Sequence, residues 1–561
     1  MATGKRTPHT ADTTMNATRK ISAKSKVVED RLWRGRCAEG MDRTMRKVKI
    51  ITAAEAANLV KDNDTLTTMG FVGCSHPEAL TKALEKRFLE TGSPKNLTYL
   101  YSASQGTRKG VAGEHLAHEG LLKRLIIGHY QTVPALAALA IDNKIEAYNY
   151  SQGTMCHLFR AIAGKKIGVF TDVGLHTFLD PRNGGGRVNK RTTEDLVKVV
   201  HVEGQELLFY PTFPISIAFL RGTYADEAGN ITTHEEVAPL ENLTVAQAVH
   251  NCGGIVVVQV RKVVKHGSLD PRMVTIPGIY VDYVVEADSA DHEQAFGCEY
   301  DPSLSGAARV PAGVGGEMIP LDAKKIIGRR GALALKDDVV VNLGVGAPEY
   351  VATVAGEEGI SDRFTLTVEN GALGGVPQGG PQFGATRNPE AFVAQDYQFD
   401  FYDGGGLDMA FLGLAQCSES GDINVSRFGP RIAGCGGFVH ISQKTPNVYF
   451  CGTFTNGGLR VAVENGKVKI LQEGKSKKFI KAVDQVTFNG AYAAQMGKNV
   501  WYITERCVFK LTAEGLKLME VAPGIDVEKD ILAQMDFKPI IEDYTTMDAR
   551  IFNEGVMGLK K

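Results

Sequence analysis

The chain has 561 residues and a formal net charge of -1, with 43% hydrophobic and 23% charged residues. This length exceeds what one hydrophobic core usually organises, so two or more domains are expected. The near-neutral charge gives no overall reason to expect nucleic acid or an anionic membrane as a partner. No apolar run approaches the roughly 18 residues that cross a bilayer, so the composition predicts a soluble globular protein.

The cysteines indicate the compartment. Nine of them are dispersed from Cys37 to Cys507, without a CxxC pair or a cysteine–histidine cluster at zinc-ligand spacing. An odd, scattered set in a chain of this size is typical of the reducing cytoplasm. We therefore predict a cytoplasmic protein with buried thiols and no bound metal.

Residues 1–44 differ from the rest of the chain. They are rich in Thr, Lys and Arg, poor in apolar residues, and lack the hydrophobic core of a secretory signal. Their composition predicts disorder. Three origins stay open: an organellar targeting peptide, an added leader, or a start placed too far upstream, since Met41 and Met45 both precede globular sequence.

From Lys47 onwards, strand-like and helix-like segments alternate, which is typical of α/β layers with largely parallel strands. The strand-like stretch Asp64–Gly70 leads through a glycine-containing loop to a helix start at Pro77-Glu78. The same plan returns at Asp338–Gly344, before Pro348-Glu349. Proline at a helix start with glutamate in the first turn suits both helix geometry and the helix dipole.

Further pairs indicate that the two halves are similar. Residues 222–230 followed by Cys252-Gly253-Gly254 resemble residues 413–422 followed by Cys435-Gly436-Gly437. Between the halves lies a stretch with Pro, Gly and acidic residues and little periodicity, which is typical of a linker. The predicted organisation is a disordered basic leader at 1–44, an N-terminal domain at 45–286, a linker at 287–322 and a C-terminal domain at 323–561.

The tetrapeptide VENG occurs twice, at 368–371 and 463–466. Around the second copy, valine and isoleucine alternate with polar residues on both sides of Asn465-Gly466, which predicts a two-residue β-hairpin with Glu464 as a solvated turn residue. The first copy begins at the last residue of a predicted buried strand, 364–368. The glycine-rich segment after it is not expected to return as a partner strand, so Glu369 ends a strand and enters a loop.

A carboxylate after a strand often only caps the next helix. Three glycine-bearing elements nevertheless favour a functional Glu369: its own loop, the turn Gly344–Gly346 before a helix, and Gly434–Gly437. Glycine lets the backbone approach a ligand and leaves N–H groups free for an oxyanion. Aligning the halves places Ser102 where Glu369 stands, so we expect one site rather than two.

Other chemistries find little support. Residues 473–476 imitate the end of a phosphate-binding loop, but Lys469 stands where glycine is required, and no GxSxG, HExxH or GxGxxG motif is found. His76 and His157 are interpreted as loop and packing histidines. A carboxylate nucleophile without metal, nucleotide or redox group suits acyl transfer through a mixed anhydride. A glutamate of ordinary pKa would be ionised at neutral pH without a base.

Four stretches together carry a family resemblance: 367–375, 151–154 with Arg160, 406–413, and 434–437. They resemble the family I coenzyme A transferases, most of all those acting on propionate, acetate and other short-chain acyl groups. The resemblance runs from Met45 to about Lys560. Thr and Val before the glutamate are a minor departure from the family's (S/A)-E-(N/S)-G element.

The resemblance implies two similar tandem α/β domains with the active site at their interface, and a ping-pong cycle with Glu369 as nucleophile. Coenzyme A is then a substrate rather than a bound cofactor, the acids are of the acetate, propionate and lactate class, and the protein is a homo-oligomer, dimer or tetramer. The implied oxyanion donors are the backbone N–H groups of Val345, Gly346 and Gly437, and the implied substrate- or CoA-binding residues are Gln152, Asn370, Gly374, Gly375 and Gly436. Two alternatives stay open: an acyl-CoA hydrolase on the same fold, and a non-catalytic CoA-binding sensor.

Overall fold

The computed structural model describes residues 47–311 and 318–560. The predicted disordered leader at 1–44, and with it the question of the natural start, lies outside the described residues, as does part of the predicted linker. By their contacts, residues from Val48 onwards form one unit, so the domain boundaries predicted within it stay a prediction. No helix in the described ranges is long and apolar enough to span a membrane.

The N-terminal half is built on a sheet of eight strands, all paired in parallel. Strands such as Ile255–Val260 are almost wholly apolar and buried, as expected where helices cover both faces of a parallel sheet. In spatial order the strands are Lys49–Ile50, Tyr283–Glu286, Ile255–Val260, Ile217–Arg221, Thr65–Thr68, Leu97–Tyr101, Leu122–Ile127 and Glu146–Asn149.

The C-terminal half is built on a sheet of ten strands whose centre is parallel. In spatial order they are Ala391–Phe392, Ala372–Leu373, Phe364–Thr367, Val339–Leu343, Met409–Gly413, Asn447–Cys451, Asn499–Ile503, Cys507–Thr512, Gly515–Val521 and Thr545–Thr546. The two largely parallel sheets confirm the predicted α/β fold.

Helices flank both sheets. Those of the N-terminal half are Ala53–Leu59, Glu78–Thr91, Pro134–Ile141, Gln152–Ala163 and Asn242–Asn251, and those of the C-terminal half are Ala323–Ala332, Glu349–Glu357, Gln395–Asp403, Phe438–Lys444 and Gly490–Gln495. Pro77 and Pro348 each stand immediately before a helix that begins with glutamate, one position earlier than predicted. Helix Gln152–Ala163 contacts helix Gln395–Asp403, which joins the two halves.

Smaller sheets complete the molecule. Three- and four-stranded sheets lie in the N-terminal half, and two-stranded ribbons lie in the C-terminal half. Their strands are Gly168–Thr171, Lys198–Val202, Gln205–Pro211, Tyr224–Asp226, Ile231–Thr232, Lys262–Val264, Val274–Ile276, Val376–Pro377, Thr386–Arg387, Gln416–Cys417, Ile423–Asn424, Arg427–Phe428, Arg431–Ile432, Thr455–Asn456, Arg460–Glu464, Lys467–Gln472 and Ser476–Lys477.

One predicted correspondence between the halves is confirmed and one is wrong. Residues 222–230 and 413–422 each supply the first strand and the turn of a short antiparallel ribbon after a central strand, with return strands Ile231–Thr232 and Ile423–Asn424. The two Cys-Gly-Gly triplets, however, are not equivalent: Cys252 ends helix Asn242–Asn251, whereas Gly437 begins helix Phe438–Lys444. Paired glycines occur at both ends of helices, so the shared Cys-Gly-Gly sequence does not show that the two positions are equivalent. By topology, the counterpart of Gly437 is Glu241, which precedes helix Asn242–Asn251.

The two VENG copies differ as predicted, with one correction. The second copy lies in the hairpin Arg460–Glu464 and Lys467–Gln472, where the side chain of Glu464 is 56% exposed. After the first copy the chain does return, because Ala372–Leu373 pairs antiparallel with Thr367. Gly371 allows this reversal: its φ is 109°, and a Cβ there would lie 1.9 Å from the carbonyl oxygen of Val393.

Candidate active site

Glu369 lies against the start of a helix from the same half. It follows strand Phe364–Thr367 and is partly buried. A Cβ on Gly437 would come within 3.2 Å of Glu369 Cγ and 3.4 Å of its Cδ. Glycine at 437 therefore leaves the space that the glutamate side chain occupies.

The side chain of Glu369 is half-buried, and its carboxyl group has no partner in the described part of the chain. Burial raises its pKa to about 7, so the ordinary pKa expected from the sequence is wrong. Within residues 47–311 and 318–560, no hydrogen bond or ion pair holds this carboxylate. At pH 7 a large fraction of the group is ionised, and the anion is poorly solvated and more basic than a surface glutamate.

Gln152, from the other half, packs against Gly436, the neighbour of Gly437. The backbone N–H of Gln152 donates to the carbonyl of Gly436 over 2.9 Å. A Cβ on Gly436 would lie 3.9 Å from Gln152 Oε1. Gln152 is buried, and its Nε2 has no hydrogen-bond partner in the described part of the chain. Four of the predicted residues thus meet around one glycine turn: Glu369 lies against Gly437, and Gln152 lies against Gly436.

Gly437 also carries an unused backbone donor. The N–H of Gly436 donates to Gly128 over 2.8 Å, and that of Phe438 donates to Cys435 over 3.0 Å. The N–H of Gly437, between them, has no acceptor among the described residues. Since an unmade buried hydrogen bond is costly, a free donor here is available to a ligand oxygen.

The turn at Val345-Gly346 is arranged differently. The side chain of Val345 is 62% exposed, and a Cβ on Gly346 would meet nothing within 4 Å. The N–H of Gly346 already donates to Glu349 Oε1 over 3.0 Å. This turn is open to solvent, and its glycine donor is engaged within its own helix start, so a role for Val345 and Gly346 as oxyanion donors stays a prediction.

Asn370, Gly374 and Gly375 hold the loop that follows the glutamate. Asn370 is buried and donates to the carbonyl of Gly384 over 2.5 Å. A Cβ on Gly374 would lie 2.6 Å from Glu390 Cγ, and one on Gly375 would lie 2.4 Å from the carbonyl oxygen of Arg387. These contacts explain the residue types by close packing, and contact with substrate or CoA stays a prediction.

His440 was missed by the sequence analysis. Its Nε2 accepts the backbone N–H of Thr154 over 2.9 Å, so the ring proton is on Nδ1, which donates to Asp403 Oδ1 over 2.7 Å. The hydroxyl of Ser151 lies 2.9 Å from the same Nε2. His440 therefore satisfies the first turn of helix Gln152–Ala163, the helix that presents Gln152. No local pattern marks it, because its partners come from other helices.

His129 was also missed. It bridges by backbone to Gly434, and its Cδ2 would lie 3.9 Å from a Cβ on Gly436. Burial lowers the pKa of His129 to about 4, so a neutral ring borders the glycine turn. By contrast, His76 is held by Gln105 and Thr81 over 2.8 and 3.1 Å, in line with the structural role predicted for it.

Known proteins resemble this chain over most of its length. The family model described as coenzyme A transferase matches residues 50–287. The caffeate CoA-transferase of Acetobacterium woodii is 44% identical, covering 91% of this chain and 98% of that protein. The acetate CoA-transferase YdiF of Escherichia coli K12 is 40% identical, covering 91% and 96%.

Solved structures agree with this similarity. The crystal structure of the acyl-CoA transferase YdiF apoenzyme from Escherichia coli O157:H7 matches with a TM-score of 0.87 at 40% identity, covering 91% of this chain and 98% of that chain. A second YdiF structure, described as a thioester complex with CoA, matches equally well. The chain therefore belongs to the coenzyme A transferase family, as an enzyme that transfers CoA between acyl-CoA thioesters and carboxylates.

Proposed function

We propose that this enzyme transfers coenzyme A between short-chain acyl-CoA thioesters and acids of the acetate, propionate and lactate class, with Glu369 as covalent nucleophile. The observation that carries the proposal is the unpaired, half-buried carboxylate of Glu369 against Gly437, whose N–H is free, with Gln152, whose Nε2 is free, packed against the adjacent Gly436. A nucleophile next to unused donors is what a tetrahedral oxyanion requires.

The cycle has two kinds of covalent intermediate. The Glu369 carboxylate attacks the thioester carbonyl, the C–S bond breaks, and CoA thiolate leaves behind an acyl-glutamyl anhydride. The thiolate then attacks the glutamyl carbonyl, which releases the first acid and gives a glutamyl-CoA thioester. The second acid attacks this thioester, and the steps reverse to give the new acyl-CoA and free Glu369. One thioester replaces another, so no nucleotide hydrolysis is needed.

Two features of the site suit these steps. The raised pKa of Glu369 makes its anion a stronger nucleophile than a solvated carboxylate. The donors of Gly437 and Gln152 come from the two halves, so an acyl group between them would be held across the junction. The description of a YdiF structure as a thioester complex with CoA supports a covalent route in a relative.

The acceptor acid can be identified by direct competition among candidates. The two relatives named for acetate and for caffeate are 40% and 44% identical to this chain, so similarity alone does not choose between a small and an aromatic acid. One or two methylenes in an apolar pocket change specificity by only about 1–3 kcal/mol. A comparison of acetate, propionate, lactate and caffeate as acceptors of CoA from acetyl-CoA or propionyl-CoA would rank them directly.

An acceptor-dependence assay tests the function against its alternatives. With labelled propionate and propionyl-CoA, the proposal predicts rapid label exchange, and no net loss of thioester in the absence of an acceptor acid. Loss of thioester without an acceptor would indicate an acyl-CoA hydrolase. Tight CoA binding without exchange would indicate a CoA-binding sensor. Glu464→Ala is a matched control, since Glu464 lies in the same tetrapeptide on an exposed hairpin.

A further inference from the structure

A separate cavity of about 270 Å³ lies beside helix Phe438–Lys444. The last turn of this helix, Ser442 to Lys444, lines it, together with residues from both halves of the chain. Gln152, Glu369, Gly436 and Gly437 are not among its lining residues. The cavity is therefore distinct from the acyl-transfer site, although one helix of about 10 Å borders both.

The cavity holds two lysines in different electrostatic situations. Lys444 Nζ lies 2.7 and 2.8 Å from the two carboxylate oxygens of Asp172, so its charge is compensated. Lys498 Nζ donates to the carbonyl of Thr445, and no carboxylate of the described residues lies within 4.0 Å of it. An ammonium has three donors, so two remain to be satisfied.

The environment of Lys498 favours an added anion. The residue is half-buried, and burial, with a smaller contribution from Lys444, lowers its pKa to about 8. A poorly solvated cation without a counter-charge is costly, and an anion placed beside it recovers the lost interaction. Asp172 does not supply that anion, because its carboxylate is occupied by Lys444.

The remaining walls favour an organic molecule over a simple inorganic ion. Leu175 and Phe488 are 4% and 3% exposed, and Val439 lines the same cavity at 1%. Met496, at 61% exposed, lines it as well. Phosphate or sulfate would leave Met496 uncovered, whereas an organic molecule would also fill the space that the other three side chains border. A cavity that combines apolar side chains with a few polar and charged groups is typical of a site for a small molecule.

We propose that this cavity binds a small organic monocarboxylate, with its carboxylate at Lys498 and its apolar body against Met496, on the side bordered by Phe488. The binding is non-covalent and does not involve Glu369. The enzyme would thus have a second binding site for an acid besides the acyl-transfer site. The two proposals are independent, so a result against one does not affect the other.

The location is tested by crystals soaked in 4-bromobenzoate, whose bromine is seen by anomalous scattering. We expect a bromine peak between Phe488 and Met496 in the wild type and none there in Lys498→Met. In solution, we expect equilibrium dialysis with labelled benzoate to show that Lys498→Met binds one benzoate per chain less than the wild type. Lys498→Arg, which keeps the charge, should retain that equivalent with an affinity within about threefold.

Three outcomes would overturn the proposal. The first is equal benzoate stoichiometry and affinity in the wild type and Lys498→Met. The second is a bromine peak only outside the cavity, and the third is phosphate binding at Lys498 as tightly as benzoate. Unchanged melting temperature and unchanged CoA transfer by Lys498→Met, measured without benzoate, show that the variant is folded, and Lys498→Arg gives an independent comparison if it is not.

Discussion

In each half of the molecule, a carboxylate lies between the end of a strand and the start of a helix. It belongs to the strand end in the C-terminal half and to the helix start in the N-terminal half. In the C-terminal half, Glu369 follows the strand, and Gly437 precedes the helix that faces it. In the N-terminal half, Ser102 follows the equivalent strand, and Glu241 precedes the equivalent helix. The hydroxyl of Ser102 donates to Glu241, so here the carboxylate fills the space that glycine leaves open in the other half.

The difference shows what distinguishes a reactive carboxylate from a structural one. Burial raises the pKa of both Glu241 and Glu369 to about 7, so the raised pKa alone does not identify the nucleophile. Glu241 is held by Ser102, which also accepts a hydrogen bond from Gln395 over 2.9 Å. Glu369 has no such partner in the described ranges and faces glycine. A missing partner and open space, rather than burial, mark the site.

Removing the carboxylate of Glu369 should have the largest effect. Glu369→Ala leaves no group to accept the acyl chain, so we expect CoA exchange to fall by at least ~10⁴-fold. Binding of CoA should be largely kept, as judged by dialysis. Glu464→Ala should stay within twofold of the wild type. Equal losses in the two variants would refute the assignment of the nucleophile.

Filling the space at Gly437 should come next. In Gly437→Ala the new methyl group would lie 3.2 Å from both Glu369 Cγ and Phe399 Cζ, and it would push the glutamate out of the space beside residue 437. We expect kcat to fall by about 10²-fold or more. Gly413→Ala is the matched control, because a Cβ there meets nothing within 4 Å, and near-normal kcat is expected. Normal kcat in Gly437→Ala would contradict the proposed geometry.

The pH dependence of the first acyl transfer should follow the ionisation of Glu369. Its pKa is raised to about 7, so the protonated, non-nucleophilic form dominates below that pH. We expect kcat/KM for acyl-CoA to rise about tenfold between pH 6 and pH 8 and then to level off. Steady-state rates across this range provide the measurement. A profile that is flat from pH 5.5 upwards would show that the carboxylate is not desolvated.

His440 should affect catalysis through the helix that carries Gln152. His440→Ala removes the acceptor of the Thr154 N–H, a loss of about 1 kcal/mol of helix capping, and should lower kcat/KM about tenfold. His440→Gln, whose amide oxygen can replace Nε2, should restore most of the activity. An identical loss in the Ala and Gln variants would exclude a role for this hydrogen bond.

Glu241 should contribute the smallest effect, and to stability rather than activity. Its folded-state pKa lies above that of the unfolded chain, so its stabilising contribution is complete at low pH and is lost as pH rises through about 7. Glutamine does not ionise, so Glu241→Gln does not lose stability as the pH rises. We expect it to match the wild type at pH 5 and to be more stable at pH 9 by on the order of 1–3 kcal/mol. The same difference in unfolding free energy between variant and wild type at both pH values would contradict this.

Local sequence patterns were sufficient for the framework. The strand, glycine turn and helix start at 64–78 and 338–349 predicted the central strand of each sheet, because hydrophobic period and helix-start residues are local signals. The alternation of apolar and polar residues around Asn465-Gly466 is also a local signal, and it identified Glu464 as a hairpin residue, unlike Glu369. The contacts of Glu369 with Gly437 and of Gln152 with Gly436 join residues that the family resemblance, and no local pattern, singled out.

The remaining features depend on contacts between distant segments. His440, Asp403 and Thr154 come from three helices, and nothing in their spacing predicts that they meet. The pairing of the Cys-Gly-Gly triplets failed because glycines mark either end of a helix, and only the sheet order identifies Glu241 as the counterpart of Gly437. The raised pKa of Glu369 likewise results from burial, which the sequence around it does not encode.

Mass spectrometry of the enzyme incubated with an acyl-CoA tests the central claim most directly. We predict a CoA-sized adduct on the peptide that contains Glu369, present in the wild type and in Glu464→Ala and absent in Glu369→Ala. An adduct on any other peptide, or rapid CoA exchange without any adduct at Glu369, would contradict the covalent role of this side chain.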